Sequence, residues 1–526
     1  MSSLVSVRLL AHWLLRWRLW AMVLAVIQTM SACATLPPPP EREASHAVPD
    51  ARGTTLGRRV AAAQPAPALS GFRVVVSGSD ALALLMTLAD QAERTLDLQY
   101  YLVHNEPSTR ALLQRVRAAA DRGVRVRLLV DDLHTVGNDA AFRRLTEHPR
   151  IEVRMYNPLP AGRFSTVTKV LASLTEVDRI NRRMHNKVFI ADNALAFTGG
   201  RNLGDAYFLV SDKANFVDID LLAAGPVVRD LSKLFDRYWN SELAYPVHKL
   251  VSRSQAAASA ADPKQLDTPP AVEPTFGLPA DAAAREVAPQ GGMRLQWAMA
   301  RLLADEPAKI EALGAVSPDQ TMFDDVASLL RAARDEVLVI SPYLVPGPRG
   351  MALVEQLRQR GVRVRVLTSS LASTDAPIVH VGYARYRRPM LQAGVELYEM
   401  RPRVEGSRQL SGFGQSEARL HAKVVVVDRR YLLVGSMNLD ERSISLNSEH
   451  GLLVNSPVMS DAVRGLFDDV TRHSSYQLQL GDGGELRWLQ HTPEGVRVHT
   501  GSEPDSSLGR RIGWRLLSPF APDEML

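Results

Sequence analysis

Cysteine is almost absent from this 526-residue chain: Cys33 stands alone, so no intrachain disulfide can form. Lysine is scarce as well, only 8 of the 62 basic residues, the rest being Arg. Apart from one stretch near the N-terminus, no run approaches the ~20 apolar residues of a membrane span. No Cys/His cluster, EF-hand loop or Walker pattern occurs, so the residues point to no metal and no nucleotide cofactor. The net charge of +5 is mild and compatible with either an anionic membrane surface or nucleic acid. What remains is a composition 46% hydrophobic and 23% charged, that of a globular protein, and a length that exceeds one ordinary core and fits two domains plus extras.

The first residues read as a targeting segment. Arg8, Arg16 and Arg18 precede the apolar run Leu19 to Ile27, and Met30-Ser31-Ala32 leads into Cys33. A lone cysteine placed there resembles a bacterial lipobox, which implies cleavage before Cys33, acylation of its sulfur and amino group, and a body tethered in the bacterial cell envelope facing the periplasm. The alternative is an uncleaved anchor. Residues 34–70, with Pro37 to Pro40, read as a disordered tether. Residues 251–320, rich in Ala and Pro through 292, read as a linker and helical connection between a first domain, 71–250, and a second, 321–526.

The strongest signal is a doubled pattern. His185, Lys187, Asp192, Gly199, Gly200 and Asn202 recur as His421, Lys423, Asp428, Gly435, Ser436 and Asn438, with Asp seven and Asn seventeen residues after His in both copies. KVFI after His185 and KVVVV after His421 are β-branched and apolar, so each His-Lys pair opens a strand and projects to one face. Asp192 and Asp428, candidate catalytic residues as members of the motif, fall in the following turn, where an Asp ordinarily secures a hairpin rather than touching substrate. In a chain that so strongly prefers Arg, Lys at the third position of both copies indicates a need for a compact ammonium.

The repeat extends beyond the motifs. Residues 81–103 pair with 322–345, 111–132 with 352–370, and 151–158 with 395–402, each half running β-α-β-α-β into its motif hairpin. This predicts a duplicated α/β sandwich rather than a solenoid. If the halves pack about a pseudo-two-fold axis, the two His-Lys pairs meet and build one site.

These residues resemble the phospholipase D superfamily, whose signature is the doubled H-x-K-x4-D motif with a trailing Gly-Gly or Gly-Ser and Asn. Residues 368–399, 303–310 and 516–526 look like bacterial cardiolipin synthases, the last two most like their C branch. The resemblance covers roughly residues 70–526. It implies two pseudo-two-fold-related halves with mixed sheets flanked by helices, and a phosphatidyltransferase acting through a phosphohistidine. The lipids implied are phosphatidylglycerol, with phosphatidylethanolamine as a further candidate, and no nucleic acid is expected. A phospholipase D hydrolase and a superfamily nuclease are the competing activities. By resemblance His185 is the nucleophile and His421 the acid/base, while Lys187, Lys423, Asn202 and Asn438 hold the phosphate oxygens and Ser436 adds a hydroxyl.

Each nucleophilic or acid/base imidazole needs its other nitrogen fixed. Asp218 and Glu449 each lie three residues before a Leu-Leu pair, and the repeat aligns them. The expectation is Asp218 on His185, with Asp220 as rival, and Glu449 on His421. His104, His134 and His380 read as ordinary surface or core histidines and Trp239 as core. Tyr383, Arg385, Arg387 and Arg388 are candidates for a headgroup phosphate, against a solvated basic helix face.

Overall fold

Apolar runs such as Val188–Ala191 and Val424–Val427 have no polar face, so they form strands covered on both sides. The computed structural model describes residues 36, 42–133, 138–159, 177–251, 294–311, 321–404, 413 and 416–517. The targeting segment with Cys33, His134 and most of the linker lie outside the described residues.

In the first half the strands are β1 (Ser70–Val75), β2 (Thr95–Tyr100), β3 (Arg125–Asp131), β4 (Ile151–Tyr156), β5 (Val188–Ala191), β6 (Leu195–Gly199), β7 (Ala214–Val217), β8 (Asp220–Ala224) and β9 (Ala244–Pro246). Their order across the sheet is β1-β8-β6-β5-β2-β3-β4-β9, parallel only through β2-β3-β4. The second half has β10 (Gln296–Ala304), β11 (Glu336–Ile340), β12 (Arg363–Ser369), β13 (Glu396–Met400), β14 (Glu417–Leu420), β15 (Val424–Val427), β16 (Tyr431–Gly435), β17 (His450–Asn455) and β18 (Ser475–Leu480), then a hairpin of β19 (Leu486–Thr492) and β20 (Gly495–Thr500). It repeats the order as β10-β17-β16-β15-β11-β12-β13-β18, again parallel only in the middle.

Antiparallel pairing of β1 with β10, Gly71 opposite Trp297, fuses the two sheets into one of 18 strands. Helices cover both faces. On one face the helix pairs Gly78–Gln91 with Pro107–Asp121, and Met322–Arg331 with Gly347–Gln359, close separate cores. On the other face Pro226–Asn240 and Pro457–His473 close a single core that runs across both halves and includes Trp239.

Two segments differ from the sequence expectation. From Arg42 the supposed tether is built into the first half: Ser45 N–H donates to Asn240 (3.0 Å), Ala47 N–H to Asp236 (2.9 Å), and a helix spans Thr55–Ala63. The Ser45 carbonyl accepts from buried Arg127 (2.8 Å), which also pairs with Asp97 and Asp236. The start of the segment is thus ordered through polar contacts that no hydrophobic pattern announces, while its helix docks on the core through Leu56 and Val60. Likewise β10 lies inside the stretch read as linker, because the Ala- and Pro-rich residues before it mask the start of a strand.

Candidate active site

Each motif hairpin places its histidine where a short parallel contact joins the halves. In the first contact β7 runs parallel to β14, Val217 opposite Leu420, and His421 N–H donates to the Val217 carbonyl (2.8 Å). The next residues along, Asp218 and His421, then meet: His421 Nδ1 lies 2.6 Å from Asp218 Oδ2. In the second, Met184 bridges Ser448 in parallel and His185 N–H donates to the Ser448 carbonyl (2.9 Å). His185 Nδ1 therefore reaches Glu449, 2.9 Å from Oε2. The pairing is the reverse of the expectation. Each histidine takes its carboxylate from the opposite half, because the parallel contacts cross between halves, whereas sequence alignment of the repeat only compares residues within them. Asp220, the rival, is bound instead by the buried guanidinium of Arg201.

Lys187 and Lys423 project beside their histidines, each ammonium donating to the carbonyl of the histidine two residues before it. Asn202 and Asn438 lie at the ends of β6 and β16, both buried and each with a side-chain oxygen lacking a hydrogen bond. Ser436 Oγ donates to Glu449 Oε2 (2.5 Å), and Ser443 Oγ donates to Oε1 (2.9 Å). Among the described residues neither histidine Nε2 has a hydrogen-bond partner.

Asp192 and Asp428 sit at the far ends of their strands from the histidines. In each turn the Asp and its successor take left-handed backbone, φ 55° and 50° at Asp192-Asn193 and 52° at both Asp428 and Arg429. Asp192 accepts from the N–H groups of Glu93, Arg94 and Thr95 (2.9, 2.7 and 2.9 Å). Asp428 does the same for Arg334, Asp335 and Glu336. They tie the hairpins to the helix–strand junctions and touch no group of the histidine cluster.

Electrostatics make the two ends unequal. Burial, then Lys187 and Lys423, hold His185 well below the ordinary imidazole range. Burial and Lys423 also lower His421, but Asp218 opposes them. Burial pushes the Glu449 carboxyl up to about 7 despite Lys187. For Asp218 burial acts in the same upward sense, yet His421 and Lys423 hold its carboxyl below the usual range. Burial lowers both lysines, Lys187 the more strongly.

Aromatic rings frame the histidines, a feature the motif alone does not reveal. Tyr101 meets His185 edge-on at 4.9 Å, and Tyr207 and Phe216 lie 5.2 and 5.1 Å from His421. Tyr101 pairs with Tyr343 in the sequence repeat, so that alignment carried the signal. Ser443 had none, lying outside both motif copies.

The family described as "Cardiolipin synthase, PLD-like domain" matches residues 85–239 and 326–471. The chain belongs to this family. It is 36% identical to cardiolipin synthase C of Escherichia coli over 86% of the chain and 95% of that protein. A cardiolipin synthase of Geobacillus kaustophilus is 25% identical over 78% of this chain and 68% of its own. Among solved structures, a phosphatidylserine synthase from Haemophilus influenzae shares the fold, with TM-score 0.56 and 13% identity, covering 90% of this chain and all of its own.

The other candidates fall outside the cluster. Tyr383 and Arg387 are buried, Tyr383 donating to Glu399 (2.8 Å) and Arg387 pairing with Glu399 and Glu503, so neither is open to a headgroup. Arg388 donates to the Gly484 carbonyl.

Proposed function

We propose that the protein is a phosphatidyltransferase of the cardiolipin synthase type, moving a phosphatidyl group from one phospholipid to a hydroxyl of another. The observation that carries this reading is the crossed pair of His–carboxylate contacts, which leaves two Nε2 atoms free in one site. His185 Nε2 attacks phosphorus and the bond to the departing alcohol breaks, while His421 gives that oxygen its proton. His421 then takes the proton of the incoming hydroxyl, whose oxygen attacks phosphorus and breaks the P–N bond. The unequal electrostatics support this assignment. Both rings are lowered, His185 the more strongly, and the ring facing an ionised carboxylate, His421, is the better proton carrier. Lys187, Lys423, Asn202 and Asn438 hold the non-bridging oxygens, and a phosphodiester anion offsets the cost of burying the two ammonium groups.

Phosphatidylglycerol, with phosphatidylethanolamine as an additional donor, is the substrate set we infer, reached from a membrane surface to which Cys33 anchors the chain on the periplasmic side. Support for the anchor is the sequence alone. Purified protein incubated with labelled phosphatidylglycerol, with and without phosphatidylethanolamine, tests the reading beside His185→Ala and His421→Ala. Cardiolipin formed by the wild type and lost in both variants is expected. Phosphatidic acid as sole product makes it a hydrolase, and no lipid turnover directs attention to nucleic acid.

A further inference from the structure

The helix layer of the second half holds an apolar cavity. Lys423, the residue before β15, shares a face with Val425 and Val427, because alternate residues point the same way. Both valines belong to the core closed by helices Met322–Arg331 and Gly347–Gln359. Between those helices and the sheet lies an apolar cavity of about 320 Å³, with Ala327, Leu344, Val354, Val366 and Leu439 in its wall. A smaller void of about 20 Å³, bounded by Lys423 and His450, has Val326, Val339 and Leu439 in its wall as well, so three apolar side chains lie between the cavity and a gap beside Lys423.

In the first half, Leu112, Leu113 and Val116 are buried together with Leu82, Leu85 and Leu88 in one core. The helices carrying Leu112 and Gly350 end at left-handed glycines, Gly123 and Gly361. Counted back from these, Gly350 takes the place of Leu112, and Gly350 lines the cavity. A hole of this kind lowers stability unless something occupies it, and an apolar lining is a poor host for water.

We propose that the cavity seats part of one acyl chain of the phospholipid whose phosphate lies between His185 and His421. This deepens the phosphatidyltransferase reading and rests on it. Its volume lies at the lower end of the range of small-molecule sites, sufficient for a segment of one chain and not for two. Each methylene that enters is worth about fourfold in affinity.

The test compares monomeric dihexanoyl and dioctanoyl phosphatidylglycerol on the full chain, on Ala327→Phe and on Val354→Phe, with melting curves to establish folding. The wild type should prefer the longer lipid by roughly fifteenfold in kcat/KM, two methylenes at the stated increment. Filling the cavity should bring the two lipids within about twofold, leaving dihexanoyl turnover intact and the melting temperature unchanged or raised. A wild type indifferent to chain length, or a folded variant that keeps the preference, overturns the proposal. Dodecylphosphocholine binding separates this from failure of the transferase reading. If neither lipid turns over but Ala327→Phe weakens that binding at least tenfold, the chain site stands and the transferase assignment falls. Unchanged binding sinks the site.

Discussion

Each histidine depends on a carboxylate more than 200 positions away in the sequence, His185 on Glu449 and His421 on Asp218. For His185 to attack through Nε2, its proton must sit on Nδ1 and be accepted by an ionised Glu449. Because His185 stays neutral well below pH 6.5 while Glu449 titrates at about 7, the proposed mechanism makes the carboxyl the limiting group on the acid side. Turnover should therefore rise with pH through about 7, and Glu449→Gln should abolish that limb while lowering kcat by about 10²- to 10⁴-fold. A Glu449→Gln profile that keeps the limb would assign it to another group. The residues of this cluster were legible from the doubled motif and the aligned carboxylates. Their pairing was not, since it is set by two parallel contacts between halves, which leave no periodicity in either strand.

The two motif hairpins show what the conserved spacing of His and Asp within each copy accomplishes. A four-residue strand separates the reacting end from a turn whose Asp collects three N–H groups of the helix–strand junction. Asp192→Ala should lower stability by about 2–4 kcal/mol, since three N–H donors, one buried and two partly buried, lose the charged acceptor of a fully buried carboxylate. Asp428→Ala should cost about 1 kcal/mol, because most of its contacts are exposed. In both variants, denaturant unfolding should move while kcat at low temperature holds; a large loss of kcat would place these carboxylates in the chemistry. Arg387 offers a parallel case on helix Pro377–Gln392. Embedded between Glu399 and Glu503, it leaves two buried carboxylates without their shared guanidinium when replaced by Ala, a loss of about 3–5 kcal/mol with KM for lipid unchanged. Strands and helices inside the repeat could be read from alternation and helical spacing. The Arg42–Ala63 segment was not, because its first residues are held by the polar contacts of Arg127 and Asp236 and its one short helix docks through only two core residues, Leu56 and Val60.

At the scale of the whole molecule, the fold carries a titratable load at the seam where its halves meet. The sheet joined by β1 and β10, and the core running across both halves, exclude water from Glu449 so fully that its carboxyl resists ionisation. A carboxyl whose folded pKa is raised contributes stability below its unfolded value near 4.5 and loses that contribution as pH climbs through about 7. Other buried groups bend the curve in both senses: Asp305 and Asp440 are raised by burial like Glu449, while His450 is lowered to about 3. The informative quantity is therefore the difference between Glu449→Gln and wild type as a function of pH. That variant has no proton to lose, so its stability relative to wild type should grow by about 2–4 kcal/mol between pH 4.5 and 8, from about two and a half pH units of displaced titration. Urea unfolding at pH 5 and pH 8 reads it directly. A difference that stays constant with pH would mean that Glu449 ionises without strain, and the seam would not be the source of its high pKa. If the difference grows, the carboxylate that holds His185 is also one that the fold ionises at a cost, and its removal should strengthen the protein at the same pH where, on the proposed mechanism, it silences the reaction.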